Sequence, residues 1–277
     1  MRYEMAIIIR GNSIVDISYS PKESADAAGA ITVKYSFAKR FVSSVPGLRT
    51  FGARSFTSFP TSISPYVYRF MRASLFRDEL KRLKTFEICF DRLAASGDVG
   101  DYLEFGVARG TSMISSHRYA KRHGLDKMRF FAFDSFAGLP SDEEQFTQGD
   151  MAYSQEEFSH FCKKAGVDLK RVTPVPGYFD TTLTNDMLKK LDIKPGRHLI
   201  HIDCDLYEST VVVLRFLEPI LEEGSMIVFD DWHSFDYKED PENWGEQRAF
   251  SEWPAHKKFE KLAEHPEWNC AFIKTST

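Results

Sequence analysis

Two pairs of aspartates follow apolar segments in the second half of this sequence. Asp203 and Asp205 stand one residue apart in HIDCDLYEST, and Asp230 and Asp231 are adjacent in GSMIVFDDWH. Carboxylates that are held close together raise one another's pKa values unless a cation lies between them. Because oxygen ligands without a histidine–cysteine set favour hard ions, Asp203, Asp230 and Asp231 are candidate ligands of Mg²⁺, with Ca²⁺ or Mn²⁺ as alternatives.

Other roles are open to the polar side chains of these two motifs. A carboxylate at the end of a strand can also cap the next helix, and we expect Asp205 to cap the helix that begins at LYEST. His201 and His233 flank the aspartates, and we interpret both as packing or supporting residues rather than as ligands.

A second group of candidate residues lies in the turn of YLEFGVARGTS. Gly106 and Gly110 allow the backbone to approach a ligand, and the helix that begins near Ser112 offers free N–H groups. The spacing is GxxxG, with Ala108 where the dinucleotide fingerprint GxGxxG needs a glycine, which argues against a nicotinamide cofactor. A tight turn that serves helix–strand packing alone is the other interpretation.

Two acidic residues near this turn favour a ligand there. They are Glu104, within the turn motif, and Asp134, at the end of the next apolar segment. A carboxylate at the position of Asp134 can accept hydrogen bonds from two ribose hydroxyls of an adenosine ligand. The long acidic stretch SDEEQFTQGD that follows favours a lid over the site, and a solvated surface loop is the alternative.

The elements that must position these residues are visible as five short apolar segments, separated by helix-length stretches. They are DYLEFGV (101–107), MRFFAFD (128–134), RVTPVPG (171–177), HLIHIDC (198–204) and SMIVFDD (225–231). Strands that alternate with helices predict a mostly parallel sheet with helices on both faces. Ligands bind such sheets beyond the carboxyl ends of the strands, so we expect the acidic residues to line one rim.

The remaining segments have less regular patterns. Residues 1–20 alternate around a Gly-Asn pair and predict a hairpin, whereas residues 65–96 have helical periodicity that ends at Gly97. The stretch LYESTVVVLRFLEPILEEG predicts an amphipathic helix that ends at Gly224. PAHKKFEKLAEH also has a helical pattern and only WNCAFIKT resembles a strand, so we expect one terminal strand to be shortened or missing.

Composition narrows the possible partners. The chain has 277 residues, a formal net charge of −4, 43% hydrophobic residues and 27% charged residues. These values are ordinary for a globular protein and give no support for nucleic acid as a partner. No apolar stretch approaches the roughly 20 residues that a membrane helix needs, so we expect no membrane partner. The four cysteines have no zinc-like spacing, and we expect reduced thiols in a cytoplasmic protein.

Six motifs together resemble a known family. YLEFGVARGTS, FAFDSFAGLP, GYFDTTL, HIDCDLYEST, GSMIVFDDW and GEQRAFSEW have the order and spacing of the macrocin O-methyltransferase family. Members of that family are metal-dependent enzymes that use S-adenosylmethionine to methylate sugar hydroxyls of antibiotics. The resemblance covers about residues 97–253 and implies an α/β class I methyltransferase fold, a Rossmann-like, mostly parallel sheet of seven strands with the last one antiparallel.

The resemblance also implies a division of the chain and roles for individual residues. We expect a methyltransferase domain at 97–277 and, before it, a largely helical extension at 1–96 for the acceptor pocket or oligomer contacts. The candidate cofactor-binding residues are Glu104, Gly106, Arg109, Gly110, Ser112, Asp134, Ser135 and Phe136. The methionine end of the cofactor would be held by Glu104, Gly106 and Gly110. Asp134 would bind the ribose, and Ser135 and Phe136 would lie near the adenine. Asp203, Asp230 and Asp231 would bind Mg²⁺, and Asp203 would also be the catalytic base.

Residues and resemblance together predict an S-adenosylmethionine-dependent, Mg²⁺-assisted O-methyltransferase of natural product biosynthesis. Its acceptor would be a hydroxyl of a sugar, a polyol or a glycosylated small molecule, and a homo-oligomer is compatible with this function. A nicotinamide-dependent sugar oxidoreductase is one alternative, which the missing GxGxxG disfavours. A catalytically silent binding protein that retains the cofactor fold is another, which the three rim aspartates disfavour.

Overall fold

The computed structural model describes the C-terminal part of the chain nearly throughout and the N-terminal part in short segments. The described residues are 3–10, 13–21, 31–32, 83–141, 148–149, 151–236 and 238–276. The chain forms two compact units, residues 1–62 and residues 63–277. The functional boundary that we expect at residue 96 stays a prediction.

The first unit contains a small antiparallel sheet. Strand β1 (Tyr3–Arg10) pairs with β2 (Ser13–Pro21) on one edge and with β3 (Ile31–Thr32) on the other. The hairpin that we predicted around the Gly-Asn pair is therefore confirmed. The predicted helical periodicity before residue 83, and with it most of the expected helical content of the extension, falls outside the described residues.

The second unit alternates strands and helices. The described part of its first helix, α1, covers 83–96. The other helices are α2 (Thr111–Arg122), α3 (Gln155–Lys164), α4 (Phe179–Thr182), α5 (Asn185–Lys190), α6 (Tyr207–Leu217) and α7 (Gly245–Glu252). The strands are β4 (Tyr102–Phe105), β5 (Phe130–Asp134), β6 (Val172–Pro176), β7 (Leu199–Ile202), β8 (Met226–Phe229), β9 (Phe259–Glu264) and β10 (Cys270–Lys274). All five strands predicted from the apolar segments are confirmed.

These seven strands form one sheet in the order β6-β5-β4-β7-β8-β10-β9. Strands β4 to β8 are all parallel to one another, and β10 runs antiparallel to both of its neighbours, β8 and β9. The strand order reverses between β4 and β7, because the chain first extends the sheet towards β6 and then returns to the other side of β4. A crevice opens beyond the carboxyl ends of the strands at such a switch point. The predicted class I arrangement is confirmed, and its switch point lies between β4 and β7.

Alternation along the strands divides the core into two apolar layers. Leu103 and Phe105 of β4 belong to the layer that α5, α6 and α7 cover, whereas Tyr102 belongs to the layer under α1, α2 and α3. Burial of each such large side chain contributes about 1.5–3 kcal/mol to folding. Glu104 follows Tyr102 by two residues and therefore lies on the side of the sheet that faces α1, α2 and α3.

The helix after β7 is shorter than predicted. We expected it to continue to Gly224, but α6 ends at Leu217. Pro219 accounts for the early end, because it has no N–H group to donate and its ring clashes with the carbonyl group four residues earlier.

The C-terminal strand pair is complete, so the expectation of a shortened or missing strand is wrong. β9 lies within the stretch that we predicted as helical, and it pairs with β10 in antiparallel orientation. Its sequence, FEKLAE, contains three charged residues, all of which are exposed. Charged side chains suit a strand at the edge of a sheet because they discourage pairing with another chain, and their spacing imitates an amphipathic helix.

Two expectations from composition can be compared with this structure. Among the described residues, no helix is both long and apolar enough to cross a membrane. All four cysteines are free and buried, as expected for reduced thiols. Burial raises the pKa of Cys89 to about 12, so this thiol is inert at neutral pH.

Candidate active site

The turns after β4 and β7 meet at the switch point of the sheet. Gly106 has a left-handed φ of 83°, and an added Cβ there would lie 1.8 Å from the carbonyl oxygen of Asp203. No side chain fits between these two backbones, so only glycine allows the approach. The close backbone approach that we expected at Gly106 is present. In the structure, the backbone of Asp203, after β7, is what approaches it.

Asp134, at the end of β5, holds the turns of the expected cofactor site together. Its Oδ2 accepts hydrogen bonds from the backbone N–H groups of Val107 (2.8 Å) and Ala108 (3.2 Å). Its Oδ1 accepts one from the N–H group of Phe136 (2.7 Å). Because a carboxylate has about four acceptor positions, Asp134 can still accept a ribose hydroxyl. That role stays a prediction, and the structure adds an anchoring role that the sequence did not indicate.

Three further cofactor candidates surround these turns. Gly110 is the N-cap of α2 with a φ of 83°, and an added Cβ would lie 2.9 Å from the ring of Phe158. The Ser135 hydroxyl donates a hydrogen bond to the carbonyl oxygen of Gly138 (2.7 Å), which closes the turn after β5. The ring of Phe136 packs 5.8 Å from that of Phe158. The structure therefore brings the turns of Gly110, Ser135 and Phe136 together against α3.

Arg109 makes its contacts with α3 and the chain before it. Its guanidinium group lies 4.5 Å from the ring centroid of Phe161 and 5.8 Å from that of Tyr153. Exposed cation–π contacts of this kind contribute about 0.5–1 kcal/mol. This gives Arg109 a packing role, and its cofactor role stays a prediction. The acidic residues of the expected lid, within 142–147 and at Asp150, lie outside the described residues.

Glu104 is fully buried and belongs to a polar network under the rim. Its Oε2 accepts a hydrogen bond from the Tyr102 hydroxyl (2.8 Å), and its Oε1 accepts one from the Ser112 hydroxyl at the start of α2. His201 of β7 lies in register with Glu104, and its Nδ1 is 3.6 Å from Oε1 of that residue. The Nε2 atom of the same ring is 3.5 Å from Oδ1 of Asp230. His201 therefore connects the glycine turn with the acidic rim.

The two neighbouring acids favour the protonated form of His201. Burial alone would lower its pKa, but the carboxylates of Asp230 and Glu104 outweigh burial and raise the pKa to about 10. A protonated ring nitrogen has no lone pair for a metal ion. These contacts agree with the interpretation of His201 as a supporting residue rather than as a ligand.

Asp203 and Asp230 lie close enough together to share a divalent cation. One ligand atom from each of Asp203, Asp230 and His201 lies within 4.8 Å of the others. Parallel pairing of β7 with β8 brings the two aspartates together, as predicted. Their oxygens suit a hard cation.

Asp231 supplies none of these three ligand atoms, and it lies in the turn after β8. Its Oδ1 accepts a hydrogen bond from the Ser234 hydroxyl (2.9 Å). Its buried Oδ2 accepts none from the residues that the structure describes, so it has capacity for a ligand. The predicted role of Asp231 as a metal ligand stays a prediction.

Glu246 and Gln247, at the start of α7, hold the turn of the adjacent aspartates, and the sequence analysis missed both. The Glu246 Oε2 accepts a hydrogen bond from the backbone N–H group of Asp231 (3.0 Å), and the Gln247 side-chain amide donates one to the carbonyl oxygen of Trp232 (2.6 Å). Glu246 is 1% exposed, and burial together with the neighbouring aspartates raises its pKa well above its ordinary value. An acidic first turn in the helix after the DDW motif is the sequence signal that could have found it.

Three non-glycine residues of the rim have left-handed backbone. The φ angle is 40° at Ala108 after β4, 52° at Phe136 after β5 and 59° at Asp205 after β7. Such conformations cost about 1–3 kcal/mol each and cluster at functional sites. The prediction that Asp205 caps the next helix is wrong, because α6 has Leu206 as its N-cap and no side-chain capping bond.

Sequence comparison relates the chain to characterised methyltransferases. The sequence profile of the macrocin-O-methyltransferase (TylF) family matches residues 79–255. One relative is the 8-demethyl-8-(2,3-dimethoxy-alpha-L-rhamnosyl)-tetracenomycin-C 4'-O-methyltransferase of Streptomyces olivaceus, which is 32% identical over 164 residues. Another is the demethyldecarbamoylnovobiocin O-methyltransferase of Streptomyces niveus, which is 27% identical over 164 residues. Each alignment covers 55% of this chain and 60% of the relative, which is less than two thirds of the relative's length.

Structural comparison supports the fold. The structure of the O-methyltransferase NovP matches with a TM-score of 0.58 at 23% identity, covering 71% of this chain and 80% of that chain. The structure of CalS11, a calicheamicin methyltransferase, matches with a TM-score of 0.57 at 19% identity, covering 93% of this chain and 100% of that chain. At these identities the likeness concerns the fold, and it agrees with the seven-stranded sheet described above.

Proposed function

Since the chain belongs to the macrocin-O-methyltransferase family, we propose that it transfers a methyl group from S-adenosylmethionine to a hydroxyl of a sugar or a glycosylated small molecule. The names of two relatives describe O-methylation of a rhamnosylated tetracenomycin and of demethyldecarbamoylnovobiocin. The observation that carries the proposal is the meeting of Asp203 and Asp230 beside the Gly106 turn at the switch point. A cofactor turn and an acidic rim are then adjacent, as group transfer between two bound molecules requires.

In this proposal the turns after β4 and β5 bind the cofactor. The N-terminus of α2, which follows Gly110, offers N–H groups to the methionine carboxylate, and Glu104 supplies negative charge near its ammonium group. Asp134 accepts a hydrogen bond from a ribose hydroxyl, for which its carboxylate has one remaining acceptor position. Ser135 and Phe136 follow Asp134 directly and form the adenine side of the site.

Asp203 is the proposed base for the acceptor hydroxyl. The bond between the sulfonium sulfur and the methyl carbon breaks, a bond between that carbon and the acceptor oxygen forms, and the hydroxyl proton passes to a carboxylate oxygen of Asp203. Asp203 is half-buried and can reach an acceptor at the rim, whereas Asp230 is buried. A Mg²⁺ ion held by Asp203, Asp230 and Asp231 would lower the pKa of the hydroxyl and orient it.

A methyl-transfer assay with and without a chelator tests this function. Purified protein is incubated with S-adenosylmethionine and a panel of glycosylated acceptors, and release of S-adenosylhomocysteine is measured. We expect turnover that EDTA abolishes and added Mg²⁺ restores. Full activity in excess EDTA would contradict the metal, and binding of NAD without binding of S-adenosylhomocysteine would contradict the cofactor.

Variants of the rim separate the chemistry from cofactor binding. Asp203→Asn and Asp231→Asn should abolish turnover and leave the affinity for S-adenosylhomocysteine nearly unchanged. Asp126→Asn is the matched control, because Asp126 is exposed and precedes β5, at the amino ends of the parallel strands and away from the rim. An Asp203→Asn variant with wild-type turnover would remove this residue from the proposed chemistry.

A further inference from the structure

His201 lies between the two halves of the proposed site. Its Nδ1 faces Glu104, which is joined to the start of α2 by the Ser112 hydroxyl, and its Nε2 faces Asp230 at the acidic rim. The ring has no exposed surface, and the ring of Phe86 packs against it edge-on with centroids 4.8 Å apart. One buried ring is therefore in contact with an acid on each side of the site.

We propose that His201 couples the binding of the cofactor to the binding of the divalent cation, so that each ligand tightens the other. This inference rests on the proposed function, because it concerns regulation within the same site. The contacts of the ring with Glu104 and Asp230, at 3.6 and 3.5 Å, are longer than ordinary hydrogen bonds. A ligand that fixes the carboxylate on one side also orders the ring. The second ligand then meets a site that is already partly ordered, which is positive cooperativity.

A second buried histidine offers a matched control. His198 directly precedes β7 and is 2% exposed. Its Nδ1 accepts a hydrogen bond from the backbone N–H group of Asp101 (3.0 Å), so its Nε2 carries the proton and donates to the carbonyl oxygen of Lys194 (2.8 Å). These partners lie at the amino end of the strand, away from the rim. Replacement of His198 therefore removes a buried histidine from the same chain segment and leaves the contacts of His201 in place.

Calorimetric titration of the wild-type protein with S-adenosylhomocysteine, with and without Mg²⁺, measures the coupling directly. We expect Mg²⁺ to lower the Kd at least about fivefold, and S-adenosylhomocysteine to lower the Kd for Mg²⁺ by the same factor, since such coupling is reciprocal. His201→Gln and His201→Asn should still bind each ligand alone but lose this enhancement. His198→Gln should retain it.

Several results would overturn the coupling through His201 and leave the proposed function in place. They are equal Kd values with and without Mg²⁺ in the wild type, a weaker affinity with Mg²⁺, full coupling in both His201 variants, and lost coupling in His198→Gln. If circular dichroism shows that the His201 variants do not fold, Ser112→Ala replaces them. It removes the hydroxyl between α2 and Glu104 and should reduce the coupling, and unchanged coupling would count against the inference. If the wild type binds no S-adenosylhomocysteine at all, the proposed function falls and the inference falls with it.

Discussion

Replacement of Gly106 by alanine tests the close approach of the turns after β4 and β7. The first cost is conformational, because a left-handed φ of 83° disfavours alanine by about 1–2 kcal/mol. The second cost is steric, because the new Cβ would lie 1.8 Å from the carbonyl oxygen of Asp203 and the two backbones would have to separate. Overpacking of this kind costs about 1–3 kcal/mol. The variant should therefore lose about 2–5 kcal/mol of a total stability on the order of 5–15 kcal/mol.

Two other glycines with similar backbone provide a graded control. At Gly97, with a φ of 73°, an added Cβ would meet no atom of the described residues within 4 Å. At Gly110, with a φ of 83°, it would meet the Phe158 ring at 2.9 Å, and a side chain can shift more easily than backbone. The loss of stability should increase from Gly97→Ala, which has only the conformational cost, through Gly110→Ala to Gly106→Ala.

Urea unfolding followed by circular dichroism gives the free energy of unfolding of each variant. Calorimetry with S-adenosylhomocysteine then gives the cofactor affinity of the variants that fold. Gly106→Ala should weaken binding because its turn is displaced, whereas Gly97→Ala should bind as the wild type does. If Gly106→Ala were no less stable than Gly97→Ala, the contact between the two turns would be wrong, and with it the position of the site at the switch point.

Three further predictions concern single side chains. Asp134→Ala should weaken S-adenosylhomocysteine binding at least about tenfold, since it removes charge-assisted hydrogen bonds, and unchanged affinity would place the adenosine elsewhere. Glu246→Gln keeps an acceptor for the N–H group of Asp231 and should keep the Mg²⁺ affinity measured by calorimetry, whereas Glu246→Ala should lose it; equal affinities in the two variants would refute this role. Burial lowers the pKa of His198 below 6.5, so the unfolded state binds this proton more readily and stability should fall as the pH drops below 6.5. In His198→Gln the melting temperature should depend less on pH below 6.5. A dependence equal to that of the wild type would show that His198 does not cause the loss of stability.

The parallel strands could be predicted from the sequence because burial on both faces requires nearly continuous apolar segments. β4 and β7 are examples, since all four residues of each strand are buried. β9 could not be predicted in this way. It lies at the edge of the sheet, three of its six side chains are exposed, and its strand conformation depends on pairing with β10 rather than on its own residues.

The members of the site could be predicted better than their contacts. Asp203 and Asp230 end neighbouring strands, so the strand pattern alone brings them together. Asp230 and Asp231 are adjacent in the sequence, yet they have different partners, His201 and Ser234, which the sequence does not indicate. Glu246 lies 15 residues from the Asp231 backbone that it binds, and only the packing of α7 against the sheet brings the two together.

Separate sets of partners explain how so many acids can lie at one rim. Glu104 and Asp230 lie on either side of the His201 ring, and the hydroxyls of Tyr102 and Ser112 donate hydrogen bonds to Glu104. The Asp231 turn is held separately, through hydrogen bonds with residues 234 and 246. These partners all belong to the chain itself and hold the rim in place through contacts between described residues. A structural metal site, by contrast, obtains much of its folding free energy from the ion. A cation at this rim would therefore serve the reaction rather than the folding of the residues that bind it.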